Sequence, residues 1–116
     1  MSKRSDLVYF GTLLDAARDA RNHAQDITKE EYDASRTIQL ALTYLVQSVG
    51  EAASRVPMPL RVEHPEIDWA RMIGMRHRIV HDYRNIDTER VGSVLHEELP
   101  LIEQLLAFTP SDPPSP

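Results

Sequence analysis

Cysteine is absent from this 116-residue sequence, and glycine is scarce, with four residues. The lack of cysteine excludes disulfide bonds and thiolate zinc sites and favours a protein of the reducing cytosol. No apolar run approaches the roughly 20 residues of a membrane-spanning helix, and the N-terminus lacks a signal-peptide pattern. We therefore expect a cytoplasmic protein with no membrane segment. A glycine-rich phosphate loop, an internal repeat and a strand pattern are also missing.

Positive charge is in the minority. Thirteen Lys and Arg residues stand against eighteen Asp and Glu, a formal net charge of −5, which argues against a general nucleic-acid coat protein. The basic residues are unevenly placed, because the stretch 71–84 contains a single acidic residue, Asp82, and several arginines. These are Arg71, Arg76, Arg78 and Arg84. The composition is therefore compatible with a local positive patch for an anionic ligand such as RNA.

Apolar residues recur at helical spacing in four stretches, which predicts four helices. The stretches are 6–25, 28–55, 69–82 and 88–107. They predict an all-α fold, an antiparallel up-down four-helix bundle with short extra helical turns in the 57–68 connection. We expect one domain over residues 1–108, followed by a disordered proline-rich tail over 109–116.

A side chain that can cap a helix lies at the start of each predicted helix. These side chains are Ser5, Thr28, Asp68 and Asp87. Thr28 with Glu31 three residues later predicts a capping box. Pro57 and Pro59 end the second helix, and Pro100 is expected to kink the fourth.

An arginine interrupts the apolar side of the third predicted helix. That side is formed by Trp69, Met72, Ile73, Ile79, Val80 and Tyr83. Arg76 falls in its middle, where burial alone favours Leu or Ile. A guanidinium group keeps its charge when buried, so Arg76 must pair with an acid such as Glu51 or face a site that admits an anion.

The spacing of Arg76 and His81 separates them by about 140° around a continuous helix. His77 and His81 share one face at i and i+4, with Gly74 beneath them. Either of two arrangements brings Arg76 and His81 onto one ligand: the helix ends near His81 and lets it swing back, or a symmetry mate supplies one of the groups. Gly74 permits a second backbone to approach closely. We expect a combination, with the site at a two-fold interface.

The stretch from Arg76 to Tyr83 resembles the motif of HEPN-domain proteins, in particular the HepT-like toxin branch. In this order, Arg76 is followed by a polar residue, three further residues, His81, one residue and Tyr83. The resemblance covers about residues 6 to 107 and includes flanking segments in the same order and spacing. These segments are Val49–Ala53, His64–Trp69, Ile73–Arg76, Asp87–Val91 and Glu98–Pro100. Two positions depart from the family pattern: His77 stands where Asn is more usual, and Gly92 where a large aromatic residue is common.

The resemblance implies a metal-independent endoribonuclease without a cofactor, acting on RNA, with tRNA a candidate substrate, at a homodimer interface. It implies Arg76, His81 and Tyr83 as the catalytic residues, with His77 and Glu51 in support. Arginine supplies fixed charge and bidentate phosphate contacts, and histidine exchanges protons in either direction near neutral pH. Tyrosine offers a hydroxyl and a ring face for a base.

The other arginines of the positive stretch, Arg71, Arg78 and Arg84, are expected to bind RNA phosphates. The resemblance also implies an antitoxin partner, a cognate MNT-type nucleotidyltransferase that transfers AMP to the motif tyrosine, here Tyr83, and silences the toxin. An added phosphodiester would occupy the anion site. The alternative function is a non-catalytic HEPN binding module that is partner and substrate of such a transferase.

Each of these residues also has a structural interpretation. His81 at a helix end can serve the helix dipole alone, and Tyr83 at the edge of an apolar stripe can be an amphipathic core residue. His77 and His81 can ligate zinc, but only Asp82 or His64 suggests itself as a third ligand. We therefore expect no metal site.

Overall fold

The computed structural model describes residues 3–106, with side-chain environments from residue 7 onward, and every regular element in that range is helical. The helices are α1 (Lys3–Ala24), α2 (Lys29–Ala34), α3 (Arg36–Ser54), α4 (Met58–Val62), α5 (Trp69–His81), α6 (Thr88–Ser93) and α7 (Leu99–Leu106). A 3₁₀ turn (Tyr83–Asn85) follows α5, and a π-helical turn (Val94–Glu98) joins α6 to α7. The all-α bundle prediction is confirmed, while the proline-rich tail lies outside the described residues.

Four long helical segments, α1, α3, α5 and the continuous rod from α6 to α7, enclose one hydrophobic core. Helix α3 is central, since it packs against both α1 and α5, and α1 also packs along α7. Leu13, Val49, Met72 and Leu99 come from the four segments, and each is almost completely buried. Burial of such a side chain stabilises the fold by about 1.5–3 kcal/mol. The core therefore holds α5 by one face and leaves its other face at the surface.

Local capping explains three of the helix starts. The Thr28 hydroxyl accepts a hydrogen bond from the Glu31 N–H (3.1 Å), and the Glu31 carboxylate accepts one from the Thr28 N–H (3.0 Å). This is the predicted capping box. The carboxylates of Asp68 and Asp87 each accept from the backbone N–H three residues further on, at 3.0 and 3.1 Å. The predicted starts of α5 and α6 are thus confirmed.

Two predicted boundaries are wrong, and both involve serine. The long helix expected after Thr28 breaks at Ser35, whose backbone is extended (φ −122°, ψ 111°) and whose hydroxyl caps α3 by accepting from the Ile38 N–H. Helix α1 already begins at Lys3, so Ser5 lies inside it and is not its cap. A serine hydroxyl suits a cap as well as a helix surface, so apolar spacing alone does not decide its role.

Pro100 disturbs the last helix in a definite way. It has no N–H for the carbonyl four residues earlier, that of His96, and its ring crowds this carbonyl. Immediately before Pro100 the chain forms a π-helical turn, in which the Leu99 N–H bonds to the Val94 carbonyl five residues back. The wider turn makes room for the proline while the helices on both sides continue. The predicted disturbance therefore takes the form of a π turn.

The 57–68 connection contains the expected extra helical turn, α4. Pro59 lies in its first turn, where a missing N–H breaks no helical hydrogen bond. Arg61 donates from Nε to the Val56 carbonyl (2.8 Å) and from Nη2 to the Ser54 carbonyl (3.1 Å). These bonds satisfy carbonyl groups at the end of α3 and fix the start of the connection.

Helices α3 and α5 approach closely at Gly50. A Cβ atom at this position would lie 2.5 Å from the Arg76 Cβ and 2.7 Å from the Met72 carbonyl oxygen. Neither neighbour is the flexible end of a side chain, so α5 itself would have to move. Gly50 is thus the residue that lets Arg76 lie directly against α3.

We expect Gly50→Ala to lower the free energy of unfolding by about 1–3 kcal/mol, because the added methyl group overpacks the helix contact. Urea unfolding followed by circular dichroism measures this. The matched control is Gly11→Ala in α1, where an added Cβ meets nothing within 4 Å. That substitution should leave stability unchanged or raise it by up to about 1 kcal/mol. A Gly50→Ala variant as stable as wild type would contradict the close approach.

Candidate functional site

Helix α5 ends at His81, inside the stretch that contains Arg76, His81 and Tyr83. Asp82 leaves the helical region (φ −145°, ψ 55°), and its N–H bonds to the Arg78 carbonyl at 2.9 Å, so His81 is the last helical residue. The chain then turns through Tyr83. The predicted helix end near His81 is confirmed.

The predicted apolar stripe of α5 is wrong in its last two members. The buried face consists of Met72, Met75 and Ile79, whereas Val80 is exposed and Tyr83 is 60% exposed. Val80 is still on α5 but lies about 100° around the helix from Ile79, beyond the buried face. Tyr83 comes after the end of the helix, so helical periodicity no longer fixes the direction of its side chain. Tyr83 is therefore a surface residue with an accessible ring, not an amphipathic core residue.

Arg76 lies against α3 without being sealed inside the protein. Its Nε atom is buried and lies 2.7 Å from Oε2 of Glu51, although the N–H is not aligned for a hydrogen bond. The side chain as a whole is 34% exposed. Among the described residues, no hydrogen bond occupies the two terminal nitrogens. The acid pairing anticipated for Arg76 is present, and a guanidinium edge remains for an anion.

Glu51 is shared between two arginines. Besides Arg76, its Oε1 atom lies 3.5 Å from Nη2 of Arg55, one helical turn further along α3. The Arg55 pair is largely exposed and the Arg76 pair is partly exposed, so each contributes little stability, about 0–1 kcal/mol. The more important effect is geometric, because Glu51 fixes the direction in which the Arg76 side chain leaves α5.

His77 and His81 lie together, as their spacing predicts. Their ring centroids are 4.2 Å apart with the planes tilted by 45°, and both residues are exposed. They line a surface cleft of about 360 Å³ between the end of α5 and the start of α6, with Asp82, Asn85 and Arg90 among its other walls. The imidazoles are therefore accessible to solutes.

Arg76 and His81 are not brought together within one chain. Arg76 is directed to α3, and His81 lines the cleft on the α6 side. No hydrogen bond or ion pair joins them in the described part of the chain. The helix end at His81 therefore does not assemble the pair by itself within one chain.

The three arginines expected to bind phosphate differ in their surroundings. Arg71 pairs with Glu97 and Glu98, both at 3.0 Å, and the hydrogen bond to Glu97 is the main cause of its raised pKa. Its charge is largely engaged within the protein. Arg78 and Arg84 are exposed, and neither forms an ion pair with another described residue. These two are therefore better placed to meet phosphate.

Two structural features of the site escaped sequence reasoning. Arg71 connects α5 to the π-helical turn through hydrogen bonds to Glu97 and Glu98, which lie 26 and 27 residues further along the sequence. No local sequence pattern predicts a contact between residues so far apart. Gly50 did have a signal, because a glycine inside an apolar helical repeat points to close backbone packing. Both features fix the position of α5 relative to its neighbours.

The structure of the described residues also bears on the requirements of a metal site and of a membrane-spanning helix. Within the described residues, no group of three or more His, Asp or Glu side chains is arranged to hold a metal ion, so His77 and His81 stand as a pair. Between residues 3 and 106 no helix is both long and apolar enough to cross a bilayer.

The described part of the chain is thus an all-helical bundle with an arginine and a histidine on two sides of one exposed helix end. The chain belongs to the ribonuclease HepT-like family, whose sequence model matches residues 13–108. It is 27% identical to a Methanocaldococcus jannaschii protein named as a candidate RNase, MJ1380, over 90% of this chain and 95% of the relative. It is 26% identical to a Thermococcus cleftensis protein named as a probable ribonuclease HepT, over 87% of this chain and 92% of the relative. No solved structure matches the chain.

Proposed function

We propose that this chain is a HepT-like toxin, an endoribonuclease that cleaves RNA without a metal ion through Arg76, His81 and Tyr83. The proposed unit is a single domain over residues 1–108 that acts as a homodimer, with structured RNA such as tRNA as substrate. Membership of the HepT-like family and the ribonuclease names of its relatives support this activity. The observation that carries the proposal is the placement of Arg76 and His81 on two sides of one exposed helix end.

Simple geometry explains how a dimer would complete the site. Arg76 and His81 are separated by about 7.5 Å along the helix axis and by about 140° around it. A two-fold axis that passes beside α5, perpendicular to it and level with the midpoint between the two residues, places each Arg76 at the level of His81 in the second copy. Because a two-fold interface is isologous, both sites form at once. Gly74 would permit close contact with a second copy, since a Cβ atom added there would meet nothing within 4 Å among the described residues.

Exposed apolar side chains support the same interface. Leu40 and Tyr44 lie one turn apart on α3, and Tyr44 is 65% exposed. Glu51, the partner of Arg76, lies two further turns along the same face of α3. Val80 and Tyr83 add exposed apolar surface at the end of α5. A second copy that covers these groups would remove them from water while it brings the catalytic groups together.

The proposed reaction needs a base, an acid and a fixed cation. His81 takes the proton from the ribose 2′-hydroxyl, and the 2′-oxygen attacks phosphorus. The bond from phosphorus to the 5′-oxygen breaks, and the His81 imidazolium formed in the first step returns its proton to this leaving oxygen. Arg76 contacts the phosphate oxygens and stabilises the negative charge of the phosphorane. The products are a 2′,3′-cyclic phosphate and a 5′-hydroxyl, and Tyr83 offers a ring on which a base can stack.

The direct test is cleavage of folded RNA by the purified chain in EDTA. We expect cleavage products with 2′,3′-cyclic phosphate ends, at a rate that EDTA does not change. The absence of products at micromolar protein concentration would contradict the proposal, and so would activity that EDTA removes.

The exposure of Tyr83 favours a second candidate function, that of partner and substrate of a cognate MNT-type nucleotidyltransferase antitoxin. Tyr83 is 60% exposed and precedes Arg84 in the 3₁₀ turn. In the proposed transfer, the Tyr83 oxygen attacks the α-phosphorus of ATP, pyrophosphate leaves, and a base takes the phenolic proton. The product would carry a phosphodiester beside the arginines of the motif and block the anion site.

Incubation with the cognate transferase and ATP is expected to add the mass of one adenylyl group to wild type and none to Tyr83→Phe. Intact-protein mass spectrometry measures this. Tyr44→Phe is the matched control, because Tyr44 is equally accessible but lies on α3, and this variant should be modified like wild type. Adenylyl mass on Tyr83→Phe would remove Tyr83 as the target.

A further inference from the structure

Two imidazoles at the end of α5 lie close together and are both open to solvent. His77 and His81 are one helical turn apart, with ring centroids separated by 4.2 Å. We propose that they chelate a late first-row divalent metal ion such as Zn²⁺ or Ni²⁺, one ion per chain. We further propose that the bound ion switches off His81. The binding step stands by itself, whereas the inhibitory effect rests on the proposed ribonuclease function.

The geometry of the pair suits chelation. Histidines at i and i+4 project from one face of a helix, and a single ion needs both nitrogens at about 2.0–2.1 Å. Because both rings are exposed, they can rotate into this arrangement without disturbing the core. Imidazole is a preferred ligand of Zn²⁺, Ni²⁺ and Cu²⁺.

Within one chain, the charges around the pair do not oppose a cation, although the proposed dimer would add Arg76 of the second copy near His81. The same cleft contains Arg78 and Arg90 together with Asp82 and Asp87, two positive and two negative groups. Arg90 is already paired with Asp87 at 3.3 Å. The Asp82 carboxylate accepts a hydrogen bond from the Asn85 side chain at 3.2 Å and forms no ion pair with another described residue.

Two imidazoles are fewer protein ligands than a structural zinc centre provides. The remaining coordination positions would be filled by water, and the affinity would be modest and reversible. Such a site acts as an inhibitory sensor, not as a structural centre. An ion on His81 occupies the nitrogen lone pair that would otherwise accept the 2′-hydroxyl proton, so the metal and the proton compete for the same atom.

Isothermal calorimetry on the full, tag-free chain, titrated with NiCl₂ or ZnCl₂ without RNA or chelator, tests the binding step. We expect one ion per chain for wild type and an affinity about 100-fold lower for His77→Asn and for His81→Asn, because each loses the chelate. His23→Asn is the control. His23 lies one turn from Asp19 on α1, so this i,i+4 pair contains a single imidazole and lacks the two-imidazole chelate. Circular dichroism checks the fold. A wild type that fails to bind at submillimolar metal, or a His77→Asn variant that binds as tightly, would overturn the site.

RNA cleavage tests the inhibitory step, with each variant compared with its own metal-free rate. Zn²⁺ at the concentration that saturates the calorimetric site should lower the rate of wild type and of His23→Asn at least tenfold. The relative rate of His77→Asn should not fall at that concentration. Equal relative inhibition of His77→Asn, or a saturated wild type that cleaves normally, would overturn the switch. A wild type inactive without metal would instead contradict the ribonuclease proposal, and calorimetry would still decide the binding.

Discussion

Replacement of His81 by Ala is expected to lower the rate of RNA cleavage by about 100- to 10,000-fold, the usual contribution of general acid–base catalysis. The substitution removes the group proposed to take the 2′-hydroxyl proton. His81 is exposed and is the last residue of α5, so the fold should tolerate its truncation. The measurement is the cleavage rate on folded RNA in EDTA, with growth arrest on expression as the cellular equivalent.

His96→Ala is the matched control for His81→Ala. His96 is also an exposed histidine, but it lies on the π-helical turn, outside the cleft of His77 and His81. Its cleavage rate should stay within about twofold of wild type, as expected for a surface substitution away from the site. If His81→Ala cleaves as fast as His96→Ala, His81 is not catalytic.

Replacement of Arg76 by Ala is expected to lower the cleavage rate by about 100- to 1,000-fold, because the phosphorane loses its fixed cation. The ion pair with Glu51 is partly exposed, so the stability lost with it should stay below about 1 kcal/mol. Arg76→Lys should recover only part of the rate, since an ammonium group keeps the charge but not the bidentate contact. The cleavage rate and urea unfolding together separate the two effects.

Arg55→Ala is the control for Arg76→Ala. Arg55 contacts the same carboxylate, that of Glu51, but faces solvent at the end of α3. Its substitution should leave the cleavage rate unchanged. Equal loss of rate in both variants would mean that the arginines act only by neutralising Glu51, and the catalytic role of Arg76 would be withdrawn.

Features determined by nearby residues could be predicted from the sequence. The capping box of Thr28, the caps at Asp68 and Asp87, and the end of α5 at His81 all rest on contacts within one helical turn. The break at Ser35 was missed because the apolar spacing continues from α2 into α3 and hides it. The outward direction of Tyr83 was missed because periodicity applies only while the helix continues.

The chemistry of the site was partly predictable for a different reason. Arg76 is conspicuous in sequence because a permanent charge on an apolar side needs a partner, and Glu51 was named as a suitable one. The pairing of Arg71 with Glu97 and Glu98 depends on tertiary packing of α5 against the π-helical turn. A sequence pattern reports the faces of one helix, and it does not report which distant helix meets that face.

The central claim is that each site combines Arg76 of one copy with His81 of the other. Mixed dimers of Arg76→Ala and His81→Ala test it most directly, because the mixed dimer then holds one complete site and one site lacking both groups. With random pairing, half of the dimers are mixed, and cleavage should return to about a quarter of the wild-type rate. Each variant alone should stay inactive. If the mixture is as inactive as either variant, the two residues do not act across the two-fold axis and the composite site is contradicted.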